Sequence, residues 1–386
     1  MSVLQHQIKE TDGLVAVIDN LEREQASKGR IETQMNSYLD KKARIAGIPI
    51  RGTFELTPLC NLDCKMCYVH LTSQQLQANS KKMLTGDQWK RIIDQAVEHG
   101  MLFALLTGGE AMMHPEFRDI FLHLLDKGVL TAVNTNGLML DDERIDFFKR
   151  HRPKAIQISL YGDNEDNYEK VTGHRVFSKV LKAINKLKDA GITVNVGITP
   201  NRYMVDFGAE LLSLVDRLDV MYSVNAGLFR PREETGRADK CHDLSLDEYI
   251  HLYKLQAKIE GREYKPVCQD DLLPVGGRIT ENPRGFRCGG GRSSFAVTWH
   301  GTMQPCLMMS EISTSLTERR FSDAWNLIHQ GALDYPFPQE CIGCAYSQVC
   351  PACVKLHADG APIGHANPAF CIRARRLAAE GMIRLG

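Results

Sequence analysis

The chain has 386 residues, enough for one large domain and a smaller one. Lysine plus arginine equal aspartate plus glutamate at 47 each, so no basic excess exists to neutralise phosphates and a nucleic-acid partner is disfavoured. No apolar run reaches the roughly 18 residues of a membrane span and the first residues lack an apolar signal core, so the twelve cysteines point to metal sites in a reducing, cytoplasmic compartment rather than to disulfides.

Residues 1–50 read as an N-terminal helical extension of two polar helices, about Asp12–Ser27 and Arg30–Ala46. Lys28-Gly29 turns between them and Gly47 closes the second. This segment is expected to cap the following domain or to serve as an arm for a partner.

From Gly52 a regular alternation begins. Apolar runs of strand length recur at Thr53–Leu56, Leu102–Thr107, Leu130–Asn134, Ala155–Ser159, Thr193–Ile198 and Val220–Val224. Helical stretches at Asp87–His99, Pro115–Lys127, Asp141–Arg150 and Phe177–Ala190 separate them, and several end at glycine. Six such units imply parallel strands with right-handed crossovers, an α/β domain closer to a partial barrel than to a full eight-stranded one. In such folds ligands bind at the carboxyl ends of the strands, so the loops after the apolar runs carry the chemistry.

The first of these loops contains Cys60, Cys64 and Cys67. Three thiolates hold three irons of a [4Fe–4S] cube and leave the fourth open to a chelating small molecule. A zinc knuckle is the alternative, but structural zinc prefers four ligands in CxxC pairs, and no fourth local ligand follows here. The second loop, Thr107-Gly108-Gly109-Glu110, offers close backbone approach and a carboxylate for an ammonium group. Further loops carry Asn136 after the third strand, then Ser159 and Tyr161 after the fourth.

Beyond the sixth run, Phe229–Arg237 holds three arginines and a proline. It reads as a solvated linker or as a grip on a carboxylate, which suits guanidinium forks. Ser245 and Glu248 form a capping box that opens a helix running to Glu260. Cysteines then concentrate at Cys268, Cys288, Cys306, Cys341, Cys344, Cys350, Cys353 and Cys371. Between Cys288 and Cys306 the stretches Phe295–Trp299 and Thr302–Pro305 flank His300-Gly301 as a hairpin. Paired zinc ribbons are the alternative reading of the CxxC pairs at Cys341/Cys344 and Cys350/Cys353.

The Cys60/Cys64/Cys67 spacing, with Met66 before the last cysteine and the ordered loops downstream, resembles the radical S-adenosylmethionine (SAM) superfamily over about Arg51–Ala226. The C-terminal cysteines resemble the SPASM auxiliary-cluster domain of peptide and protein maturases. The resemblance implies a partial (β/α)6 barrel over 51–230, a linker with a helix over 231–267 and a SPASM domain over 268–386. It implies a cluster on Cys60, Cys64 and Cys67 whose open iron takes SAM. Gly108, Gly109 and Glu110 would meet the SAM amino group, Ser159 the ribose, Ile198 the adenine, with Met66 and Asn136 beside them. Arg175 is read either as a contact to SAM or substrate or as a solvated arginine. One auxiliary cluster would sit on Cys288, Cys306 and Cys353, with Cys268 as a candidate fourth ligand. A second would sit on Cys341, Cys344, Cys350 and Cys371. Leu307 follows Cys306 where sulfatase maturases carry a catalytic aspartate, which speaks against that activity. Cys241 is left over, either an inert thiol or a hydrogen-atom donor of the kind peptide epimerases use.

The implied activity is cleavage of SAM to a 5′-deoxyadenosyl radical, hydrogen abstraction from a ribosomally made peptide and formation of a thioether, C–C or C–O bond. A flavodoxin- or ferredoxin-type reductant is the implied partner. Alternatives are a dehydrogenase or maturase acting on a protein or small molecule, a peptide epimerase, or an iron–sulfur electron carrier or zinc scaffold without enzymatic function.

Overall fold

The computed structural model describes residues 35–224, 228–229, 231–232, 235, 244–259, 285–346, 350, 353–355 and 361–380. The first expected N-terminal helix, Cys241 and Cys268 lie outside these residues. Residues 35–46 are helical. Among the described residues no helix is long and apolar enough to cross a membrane.

The described strands form one nine-stranded sheet. Strands β1 (Arg51–Glu55), β2 (Phe103–Thr107), β3 (Leu130–Thr135), β4 (Ala155–Ser159), β5 (Val194–Ile198) and β6 (Met221–Val224) pair in sequence order, each parallel to the next. The longer helices between them each bury an apolar stripe. In Gly86–Glu98 the stripe is Trp89, Ile92, Ile93 and Ala96, spaced at helical period, and Thr85 with Gln88 caps the first turn by a reciprocal hydrogen-bond pair.

The second edge of β1 is covered by a strand more distant in sequence. Strand β7 (Ser294–Val297) pairs with it in parallel, and β8 (Thr302–Gln304) and β9 (Thr314–Ser315) continue the sheet antiparallel. The β7–β8 hairpin was expected from sequence; its junction with β1 was not. A boundary at residue 268 therefore divides two regions that share a sheet. The physical reason is the edge itself: an exposed β1 would leave a row of backbone donors and acceptors unpaired.

Phe54 locks this junction. It is completely buried and meets Trp89 and Phe295 edge-on at centroid distances of 5.8 and 5.9 Å. Phe54→Ala empties a site shared by β1, the helix Gly86–Glu98 and β7. The expected loss is about 3–5 kcal/mol. Urea denaturation should show it as a lower midpoint at unchanged slope.

Candidate active site

The strand ladder between β1 and β2 continues past both strands. The Leu56 amide donates to the Thr107 carbonyl at 2.9 Å, the Gly109 amide to Thr57 at 2.8 Å, and the Glu110 amide to Leu59 at 2.8 Å. This zips the loop ahead of Cys60 to the Gly108-Gly109-Glu110 loop. The backbones come so close that side chains have no room. A Cβ on Gly108 would lie 2.5 Å from the Thr57 carbonyl oxygen, and one on Gly109 would lie 2.4 Å from that of Leu59. The two glycines serve the packing of two loops as well as approach to a ligand.

The cysteine loop is pinned on its far side too. The amides of Asp63 and Lys65 donate to the carbonyls of Thr172 and Val171 at the end of the helix Glu165–Thr172, and the Leu71 amide donates to Pro58. Those carbonyls are among the last of their helix and need donors from outside it.

A cavity of about 330 Å³ opens between these loops. Cys60, Cys64, Cys67, Met66, Gly108, Gly109, Asn136 and Ser159 all line it, with Tyr161. The sequence reading therefore brings these residues to one place. Asn136 is held there by three contacts: its amide nitrogen reaches Asn61 Oδ1 at 2.7 Å and Cys60 Sγ at 3.6 Å, and its side-chain oxygen accepts from the Leu138 amide at 3.0 Å.

Glu110, Arg175 and Ile198 are not among the lining residues. The Glu110 carboxylate turns away from the cavity and is buried. It accepts from the Met112 amide at 3.2 Å, the Asn136 amide at 2.8 Å and the Thr135 hydroxyl at 2.9 Å, so it ties the end of β2 to the end of β3. Burial pushes its pKa up, against the pull of these hydrogen bonds. Arg175 is 54% exposed and paired with Asp166 and Glu169 on the surface of their helix, outside the cavity lining. Ile198 is buried at the end of β5, and the lining passes to Thr199 instead.

The sequence reading missed Tyr68, Asn134, Gln157, Phe229 and Met308, which also line the cavity. Asn134 and Gln157 were detectable, because each interrupts an apolar strand with a polar residue. They stand opposite each other on β3 and β4, and Gln157 accepts from Asn195 of β5 at 3.3 Å. Met308 had no local signal; only the fold carries it from the C-terminal region to the barrel mouth.

The electrostatics suit a metal centre. Burial pushes the Cys60 thiol up to about 12, and the negative charges of Glu110 and Cys67 add to it. Tyr161, half-buried at the cavity wall, is pushed up by desolvation and by the charges of Cys64, Cys67 and Cys60. Thiolates that repel, as Cys67 repels Cys60, are paired favourably once cationic iron lies among them. The donor set, three sulfurs beside a cavity, fits a cubane with one open iron.

The C-terminal cysteines fall into two groups. Burial raises the Cys306 thiol to about 11, with Cys353 and Cys288 adding their charge. A Cβ on Gly290 would touch both Cys288 Sγ and the Pro305 carbonyl, and Cys306 packs in the same apolar cluster as Val354. Burial likewise raises Cys341 to about 11, and its charged neighbours are Cys350, Cys371 and Cys344.

Parallel strands deliver a cysteine loop and a glycine loop to one cavity, an arrangement that suits an enzyme dependent on an iron–sulfur cluster. The chain belongs to the radical SAM superfamily, whose family model matches residues 54–207. Among individual proteins, it is 27% identical over 322 residues to the antilisterial bacteriocin subtilosin biosynthesis protein AlbA of Bacillus subtilis, covering 79% of this chain and 67% of that protein. It is 30% identical over 272 residues to the PqqA peptide cyclase of Bradyrhizobium diazoefficiens, covering 68% of each. Its fold is similar to that of Streptococcus suis SuiB bound to S-adenosylmethionine, with a TM-score of 0.65 at 15% identity, over 84% of this chain and 77% of that one. Family membership brings a [4Fe–4S] cluster and SAM.

Glu110→Ala leaves two amides and a hydroxyl without an acceptor. At about 1–3 kcal/mol for each buried group left unsatisfied, the urea midpoint should fall well below that of the parent. Glu110→Gln keeps an acceptor oxygen and should lose less. Equal losses would mean that charge, and not hydrogen bonding, holds this corner.

Proposed function

We infer that this enzyme is a peptide maturase that installs an oxidative cross-link, a thioether, C–C or C–O bond, in a ribosomally made precursor. The observation that carries this reading is the wall of the cavity. Met308, two residues beyond Cys306, lines the same space as Cys60, Cys64 and Cys67. A site that borders both cysteine regions suits a net two-electron oxidation, because an auxiliary centre can take the second electron.

The residues divide the work as follows. Cys60, Cys64 and Cys67 hold the SAM cluster. Asn136 donates to the Cys60 sulfur, which stabilises its thiolate form. Gly108, Gly109 and Ser159 seat SAM, and Met66 supplies an apolar contact. A cluster held by these three cysteines would supply the one electron needed for reductive cleavage of SAM into methionine and a 5′-deoxyadenosyl fragment. Asn134 and Gln157 offer neutral amides, which both donate and accept and so match the main chain of a peptide. Cys288, Cys306 and Cys353 hold one auxiliary cluster; Cys341, Cys344, Cys350 and Cys371 hold another. Cys268 is the candidate to complete the first. A flavodoxin- or ferredoxin-type protein supplies the electrons.

The relatives support a peptide substrate. One is a subtilosin biosynthesis protein and one a peptide cyclase, and SuiB has been solved with its precursor peptide SuiA.

Anaerobic reconstitution tests the reading. The parent should bind about twelve irons and the Cys60→Ala/Cys64→Ala/Cys67→Ala variant about eight. With dithionite and SAM, only the parent should form 5′-deoxyadenosine. Short peptides encoded beside the gene should bind the loaded protein and gain a cross-link, read as a loss of two hydrogens by mass. Zinc in place of iron, or no SAM cleavage, would reject the assignment.

A further inference from the structure

Arg232 sits where four separate parts of the chain meet. Its guanidinium makes a bidentate pair with Glu55 at the end of β1, at 2.7 and 2.9 Å. Glu55 is completely buried, while the arginine side chain is 18% exposed. The same guanidinium lies over the Tyr68 ring, 5.5 Å from its centroid, and donates to the Leu307 carbonyl at 3.3 Å. The Arg232 amide donates to the Tyr68 carbonyl at 3.0 Å. Thr235 holds the backbone in turn, its hydroxyl donating to the Arg232 carbonyl at 2.7 Å, and Gln75 donates to the Thr235 carbonyl at 3.0 Å.

The two loops that Arg232 joins are the two that matter. Tyr68 directly follows Cys67, and Leu307 directly follows Cys306. One residue therefore links the residue after Cys67 to the residue after Cys306, by one hydrogen bond from its backbone amide and one from its side chain. Tyr68 and Met308, the residues beside these bonds, line the cavity.

We propose that Arg232 is the positioning residue that fixes the SAM-cluster loop against the auxiliary-cluster loop, with Glu55 as its buried anchor. A planar fork is required. It satisfies both carboxylate oxygens and still presents a donor to a third oxygen, which a lysine ammonium on one stem cannot do in that geometry. The proposal rests on the reading that Cys60/Cys64/Cys67 and Cys288/Cys306/Cys353 each hold a cluster.

The test uses the full-length protein, reconstituted anaerobically and reduced with dithionite. Pulsed electron paramagnetic resonance then reads the dipolar coupling between the reduced clusters. Arg232→Gln strands the buried Glu55 charge and can fail to fold. Glu55→Gln/Arg232→Gln removes both charges together and keeps the question answerable. Iron content and melting temperature qualify each variant as folded and loaded. Of the three pairwise couplings among the parent's clusters, the one between the Cys60/Cys64/Cys67 cluster and the Cys288/Cys306/Cys353 cluster should be narrow; it should broaden in Glu55→Gln/Arg232→Gln and be intermediate in Arg232→Lys, which keeps the pair with Glu55 but not the bond to Leu307. Iron in the SAM cluster should also be lost several-fold faster to a ferrous chelator in the double variant. Two loaded clusters with identical coupling in the parent and the double variant would overturn the proposal alone. A parent that holds only one cluster would remove the functional reading and this proposal with it.

Discussion

The backbone ladder between β1 and β2 is the constraint on which the site depends. Strand pairing fixes the register of two chains to within a fraction of a residue. Here that register is carried beyond the sheet, through Thr57 and Leu59, into the two loops that face the cavity. The cysteines and the glycine loop thus inherit their relative positions from the barrel and not from each other. The cost is paid in side chains: positions 108 and 109 have room for nothing larger than hydrogen.

The polar groups around the cavity form a second frame behind the first. Glu110 joins the ends of β2 and β3, Asn136 reaches back from β3 to the cysteine loop, and Arg232 closes the far side through Glu55. Each is buried or half-buried, and each finds its partners inside the protein. Buried charge without such partners would be costly, and with them it holds a geometry that apolar packing alone leaves loose. Rigidity of this kind suits a reaction in which a reactive intermediate must meet one hydrogen atom and no other.

Much of this was legible in the sequence because it is local. The three cysteines, the glycine pair and the strand–helix alternation each announce themselves within a short window, and the barrel order follows from the alternation. What was hidden depends on contacts between distant residues. Glu110 was read as a carboxylate for the SAM ammonium group; nothing nearby in sequence reveals that its oxygens also accept from Thr135 and Asn136. Arg175 reads identically in sequence whether it meets a ligand or, as here, two acidic residues of the neighbouring helix. The arginine that matters, Arg232, stood among three in a stretch without periodicity, and its carboxylate proved to be Glu55 of the same chain. The edge-on seal of β1 by β7 was out of reach for the same reason.

That seal has a consequence for how the protein is made. The β1–β7 pair joins segments about 240 residues apart, and loop closure over such a distance makes the contact slow to form. During synthesis the barrel strands emerge first, and β1 waits with one edge bare until the hairpin has left the ribosome. A strand with an open edge is a template for pairing with other chains. The yield of intact enzyme is therefore governed by the race between completion of the C-terminal region and capture of that edge. Slow translation upstream of residue 294 costs more than slow translation after it.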